Sequence, residues 1–262
     1  MTPADVTIER RERVAIVRFD SPGAANALSL ATLHGLLEAA RSLERDPLLC
    51  AVLLTGRPDR FSLGFDLRDA RSLASLPLSE RREALAIGPR VCRAWEDLEA
   101  LTIAAIEGWC VGGGVALAAS CDLRIGAAGS RYYVPELERG LNMSWGSIPR
   151  LVNLMGPART KRLVMLAEQL SVEQAAAWGF VDQVTADGQA VEAALAQAER
   201  AARMPPVQLR MCKVGINAYA NAMAQATSAM DRDQFMLAMA SDDQAEAVAA
   251  FFARRPATFA GR

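Results

Sequence analysis

Three consecutive glycines, Gly112, Gly113 and Gly114, end the segment GWCVGGG (residues 108–114), between an apolar run and a run of small residues. Backbone without side chains can be approached closely. If the small-residue run is a helix, its first N–H groups point outward at the positive end of the helix dipole. Such a place can hold an anion, although tight helix-on-strand packing also explains a glycine cluster. A second candidate is RFSLGFDL (residues 60–67): Gly64 permits a sharp turn, and Phe65 can present its amide while its ring packs elsewhere. Glu136, after Pro135, is a carboxylate able to take and return a proton, or else a solvated residue at a strand end.

Other chemistries are poorly supplied. His34 is the only histidine and lies in an amphipathic segment with no motif around it, which speaks against a Ser-His-Asp or Cys-His mechanism and against a histidine metal site. The five cysteines (Cys50, Cys92, Cys110, Cys121, Cys212) have no CxxC spacing, and four sit in apolar or amphipathic stretches as small hydrophobes. No G-x-G-x-x-G is present, because the place of the third glycine counted from Gly112 is Leu117, and no P-loop occurs. Acid–base work is left to carboxylates, tyrosines or water.

The elements that must position these groups alternate in type. Residues 6–10 and 14–19 read as strands across a polar turn, and Ser29 is an N-cap for a helix to about residue 45 with Leu30, Leu33, Leu37 and Ala40 on one face. CAVLLT (50–55) reads as a strand covered on both faces. A long helical stretch, 79–100, carries Gly88-Pro89 as its expected break. Strand 102–107, the glycines, a packed helix 115–120 and strand 121–125 follow. From about Pro157 the pattern is helical, with a Ser171/Gln174 capping box, a last strand at 181–184, and helices over 187–203, 206–225, 227–240 and 242–254. This is an α/β fold of successive ββα-like turns, and Pro205-Pro206 marks where a helical region begins.

With 262 residues, 52% hydrophobic and 23% charged, the chain suits one large domain or two smaller ones. A net charge of −1 favours neither nucleic acid nor an anionic membrane as partner. The N-terminus lacks an apolar secretory core and no apolar stretch is long enough to span a bilayer, so a soluble, cytoplasmic protein is expected.

Taken in order, Phe61–Leu67 (F-x-x-G-x-D-L), 108–114 (G-x-x-x-G-G-G) and Ala118–Asp122 (A-x-x-C-D) resemble the motifs of the enoyl-CoA hydratase/isomerase (crotonase) family. The resemblance takes in Ala25-Asn26-Ala27-Leu28, Pro135-Glu136, AAAWGFV (175–181) and the terminal FFARRPATFAGR. It implies a crotonase-like ββα spiral core over 1–204 and a helical oligomerisation region over 205–262, assembled as a homotrimer or hexamer. It also implies an acyl-CoA substrate, with coenzyme A part of that substrate and no other cofactor or metal. The amides of Phe65 and Gly113 would form an oxyanion hole for the thioester, each such donor worth about 3–4 kcal/mol. Ala24, Ala25 and Asn26, with the backbone from Gly64 and Phe65 through Asp66, Leu67 and Arg68, would hold the CoA portion.

Two departures from the family pattern matter. Hydratases of this family use two glutamates around a water. The second corresponds to Glu136, but the first falls on Ala116. One carboxylate suits a proton shuttle, and so double-bond isomerisation, better than concerted water addition. After Gly140, where a glycine- and proline-rich loop is usual, stands LNMSWG (141–146). Trp145, Trp109 and Tyr132 or Tyr133 are candidate walls of an acyl pocket, with core packing the alternative for each. Readings on the same scaffold are an acyl-CoA lyase, decarboxylase or hydrolase, and outside enzymology a non-catalytic binding protein.

Overall fold

A computed structural model describes residues 5–23 and 25–262, and for Leu67 the backbone only. The chain opens with an antiparallel hairpin, β1 (Val6–Arg11) and β2 (Val14–Phe19), followed by α1 (Leu30–Glu44). Ser29 caps α1 as expected, its hydroxyl accepting from the Thr32 N–H, and His34 lies on the exposed side of the helix. The chain then repeats one move. β3 (Ala51–Thr55) leads to β4 (Arg60–Ser62), β5 (Leu101–Ile106) to β6 (Trp109–Val111), and β7 (Leu123–Ala127) to β8 (Arg131–Tyr133), with helices after each pair.

The first strand of each pair joins a six-stranded sheet ordered β1-β2-β3-β5-β7-β10, where β10 is Gln183–Thr185 and every pairing after the hairpin is parallel. The second joins a four-stranded sheet ordered β4-β6-β8-β9, with β9 (Leu170–Ser171) antiparallel at its edge. This is the expected ββα spiral. The second sheet is the part not anticipated, because three-residue strands carry too little alternation to be read.

β3 is covered on both faces, as CAVLLT predicts. Val52 and Leu54 enter the main core with α1, and Ala51 and Leu53 face α9 (Ala190–Ala202). α9 presents Ala190, Ala194, Ala198 and Ala201 to the sheet, a stripe small enough for close approach. Its N-terminus has no cap of its own, and the buried Glu107 carboxylate at the end of β5 accepts from the Gly188 and Ala190 N–H groups instead.

After α2 (Leu67–Ala74), the long helix expected over 79–100 is two pieces, α3 (Leu78–Ala84) and α4 (Ile87–Asp97). The break falls at residues 85–86 rather than at Gly88-Pro89. Pro89 lies in the first turn of α4, where a missing N–H costs nothing. α5 (Gly113–Ala119), α6 (Ser147–Met155), α7 (Pro157–Met165) and α8 (Val172–Trp178) complete the body, the Ser171/Gln174 capping box opening α8 as expected. α10 (Pro206–Ala220), α11 (Ala224–Ser228), α12 (Asp231–Met239) and α13 (Asp242–Ala253) end the chain, with breaks earlier than the expected helix over 206–225.

α10 is fastened to the sheet by buried polar groups. Lys213 Nζ pairs with Asp122 Oδ2 at 2.7 Å and donates to the Ala100 carbonyl at 3.0 Å, while Arg210 donates to the Asp46 and Leu49 carbonyls. Asp122 also accepts from the Thr102 N–H and hydroxyl. Removing one partner of a buried pair strands the other charge, so Lys213→Ala is expected to lower unfolding free energy by about 3 kcal/mol in urea titration. A loss below about 1 kcal/mol would mean the pair is solvated in solution.

Candidate functional site

β4 and β6 run parallel and side by side, so the residues that follow each strand emerge at the same edge. After β4 the chain turns at Gly64 (φ 93°), where a Cβ would lie 3.0 Å from the Val111 carbonyl oxygen and 3.5 Å from the Gly113 nitrogen. Leu28 pairs with this segment as an isolated parallel bridge: its N–H donates to Gly64 and its carbonyl accepts from Asp66. That pattern turns the Phe65 N–H away from Leu28. The Gly113 N–H, first in α5, has no intrahelical acceptor. Among the described residues neither amide donates to a protein group. Two free N–H groups on adjacent chain segments, one of them at a helix start, form a place able to stabilise an oxyanion.

The loop before α1 supports this edge. Asn26, buried and at φ 41°, accepts from the Ser21 N–H and donates to the Phe61 and Phe19 carbonyls. Ala25 accepts from the Leu63 N–H, and the Ser62 hydroxyl joins the Asn26 carbonyl to the Gly64 N–H. The Asn26 side chain is thus spent on protein partners, leaving backbone as its means of touching a ligand. Asp66 caps α2 and pairs with the exposed Arg68, whose guanidinium holds the carboxyl below its ordinary pKa. Leu67 begins α2, and Ala24 lies outside the described residues.

Glu136 reaches the same edge from the opposite side. It precedes a single 3-10 turn, Leu137–Arg139, and its carboxylate rests on Gly112, where a Cβ would fall 2.6 Å from Oε1. Oε2 is buried and has no hydrogen-bond partner among the described residues. Burial raises its pKa from the ordinary 4.5 to about 7, against smaller opposing pulls from its backbone and from Arg139. A carboxyl near neutrality can both accept and return a proton. Ala116 is fully buried in the main core, so the second turn of α5 brings no titratable group to the site.

Of the aromatic candidates, only Trp145 joins this cluster. Its ring meets the Phe65 ring edge-on at 6.2 Å and covers Gly113, where a Cβ would lie 2.9 Å from the indole. Trp109 stands 38% exposed at the far end of β6 from the glycines. Tyr132 is a core residue with its hydroxyl on Ser130, and Tyr133 donates to Glu138. A strand rises about 3.3 Å per residue, which separates Trp109 from the glycine run. The pleat turns Tyr132 inward. Gly88, whose missing Cβ leaves room for the Trp145 indole, was read from the sequence only as part of a helix break, although a glycine inside a helix is also a signal of close approach. Among the described residues, no group of three or more His, Cys, Asp or Glu is placed to hold a metal ion, and no helix is long and apolar enough to cross a membrane.

Comparison with known proteins converges on one family. The enoyl-CoA hydratase/isomerase family model matches residues 9–262. Crotonyl-CoA hydratase of Syntrophomonas wolfei is 30% identical over 260 residues, covering 99% of both chains, and 2,3-dehydroadipyl-CoA hydratase of Escherichia coli is 28% identical, covering 99% of this chain and 100% of that one. Among solved structures, an enoyl-CoA hydratase/isomerase from Pseudoalteromonas atlantica superimposes with a TM-score of 0.88 at 26% identity, covering 98% of this chain and 100% of the other. Pseudomonas aeruginosa DspI does so at 0.79 and 30% identity, covering 99% and 98%. With its spiral of paired strands and this agreement along the whole chain, the protein has the crotonase fold and belongs to the enoyl-CoA hydratase/isomerase family.

Proposed function

We propose that this enzyme acts on an acyl-CoA thioester through an enolate, with Glu136 as the single proton-transferring carboxylate. The observation that carries the reading is Glu136, whose buried Oε2 has no hydrogen-bond partner among the described residues and whose Oε1 is set against Gly112 beside the free Gly113 N–H. The thioester oxygen accepts from the Phe65 and Gly113 N–H groups. Charge moves onto that oxygen as Glu136 removes the proton alpha to the carbonyl, so the donors act most strongly at the transition state. Returning the proton to the gamma carbon completes a 3-enoyl to 2-enoyl isomerisation with no net change in atoms. Coenzyme A enters as part of the substrate, and the step calls for no other cofactor. The backbone of residues 64–68 and the loop ending at Asn26 hold the CoA portion, Ala24 included in that reading.

Ala116 favours this over hydration, since one base must otherwise both activate water and deliver its proton. Hydration is the second reading, favoured by the relatives named crotonyl-CoA and 2,3-dehydroadipyl-CoA hydratases. Helices α10–α13 support self-association as a trimer or pair of trimers: Met211, Ile216, Tyr219, Met223 and Leu237 are all more than half exposed. Five free cysteines, four of them buried, suit a reducing cytoplasm.

Four measurements test these statements. A panel of 2-enoyl- and 3-enoyl-CoA in heavy water, read by mass spectrometry, is expected to show double-bond migration with deuterium uptake, lost in Glu136→Gln. Fast water addition would select hydration, and no exchange or product would reject both. kcat/KM is expected to rise with pH through about 7 as Glu136 ionises. The folded pKa lies above the unfolded 4.5, so the carboxyl costs no stability below that pH and up to about 3 kcal/mol once pH has passed its folded value. Glu136→Gln should therefore match the wild type in urea near pH 4 (about one Asp/Glu pKa) and exceed it in alkaline buffer; equal stability in both would show an exposed carboxylate. Tyr219→Asp is expected to reduce the mass measured by light scattering, and an unchanged mass would remove that face from the interface.

A further inference from the structure

The loop after Gly140 puts a tryptophan where backbone geometry disfavours it. Trp145 and Gly146 both have left-handed backbone, φ 61° and 66°. Glycine adopts this freely, but a bulky residue does so only when its surroundings compel it, at a cost of order 1–3 kcal/mol. Three helices supply the compulsion. From α12, Asp231 accepts the Gly146 N–H at 2.7 Å. From α6, Arg150 donates to the Trp145 carbonyl at 2.9 Å and the Gly146 carbonyl at 3.2 Å. From α4, Glu96 grips that guanidinium with two bonds, at 2.8 and 2.9 Å, in a largely buried pair. The indole these bonds aim is a fixed wall.

Where it is aimed gives it meaning. One side of the ring fills the space that a Cβ on Gly88 would need, and another lies over Gly113. Its edge contact with Phe65 completes the enclosure. The ring therefore touches both residues whose amides are assigned to the thioester oxygen, with the Glu136 carboxylate one residue back along the same glycine run. An oxygen held about 3 Å from the Gly113 nitrogen leaves the acyl chain starting within van der Waals reach of the indole.

The geometry points to Trp145 as the residue that sets acyl-chain length, admitting short straight chains and excluding long ones. This rests on the acyl-CoA reading above. Gly88 is its counterpart, kept free of a side chain so that the ring can lie back against α4.

The test is the ratio of kcat/KM for decenoyl-CoA to that for crotonyl-CoA, with hexenoyl- and octenoyl-CoA between. A residue needed only for folding would lower all four in parallel and leave the ratio unmoved. The wild type is expected to favour crotonyl-CoA, and Trp145→Ala to raise the ratio about a hundredfold, since a single methylene is worth roughly ten- to two-hundredfold in an apolar pocket. Trp145→Phe should fall between them and serves if the alanine variant does not fold. Gly88→Ala, which pushes the ring forward, is expected to depress even crotonyl-CoA turnover, and adding Trp145→Ala should restore it. A wild-type ratio near one, or a ratio unchanged in both Trp145 variants while turnover still depends on Glu136, would overturn the inference and leave the acyl-CoA reading standing. Absence of turnover on every thioester would overturn both.

Discussion

Three successive residues without side chains are approached from three directions, and the site depends on that permission. The Glu136 carboxylate rests on Gly112, the Trp145 indole lies over Gly113, and Ser62 of β4 comes within 3.1 Å of where a Cβ of Gly114 would be. A methyl group at the first would strike a carboxylate oxygen, and at the second an aromatic ring. Gly112 also needs φ 53° to turn the chain from β6 into α5, a conformation that L side chains rarely adopt. The same stretch turns the chain, starts a helix with an unpaired N–H, and admits the groups that would use that N–H.

Around this backbone, the charged groups act mainly as fasteners. Glu107 ends β5 and caps α9, Asp122 precedes β7 and holds Lys213 of α10, and Arg150 holds the turn that aims Trp145. Each joins elements far apart in sequence at places where apolar packing alone would fix distance but not register. α13 closes over the turn that carries Glu136: Arg139 stacks on Phe251 at 3.8 Å, and Gly140 abuts the backbone of Gln244. The C-terminal helices of this chain thus touch the same turns that present the candidate groups.

Much of this was legible in the sequence, for particular reasons. Helix α1 announced its cap, and the α8 capping box stood at Ser171 and Gln174. The apolar run of β3 foretold a strand with two covered faces. Strands β4, β6, β8 and β9 were hidden because two or three residues cannot show a period. Gly88-Pro89 misled as a break because proline is tolerated at a helix start as well as excluded from its middle. Of the site, Phe65, Gly113, Glu136 and Trp145 do come together, while Trp109 does not. Arg150, Glu96 and Asp231 carried no signal, since what marks them is the partner each meets at a sequence separation of 54 or 85.

The bond from Gly146 to Asp231 has a consequence in time. A ribosome makes residue 146 long before residue 231, and a domain generally folds as a unit. The growing chain would carry both amides and the glutamate while the turn behind Trp145 still lacked the carboxylate that caps it. The turn that aims Trp145 can therefore close only once the chain has been made through α12.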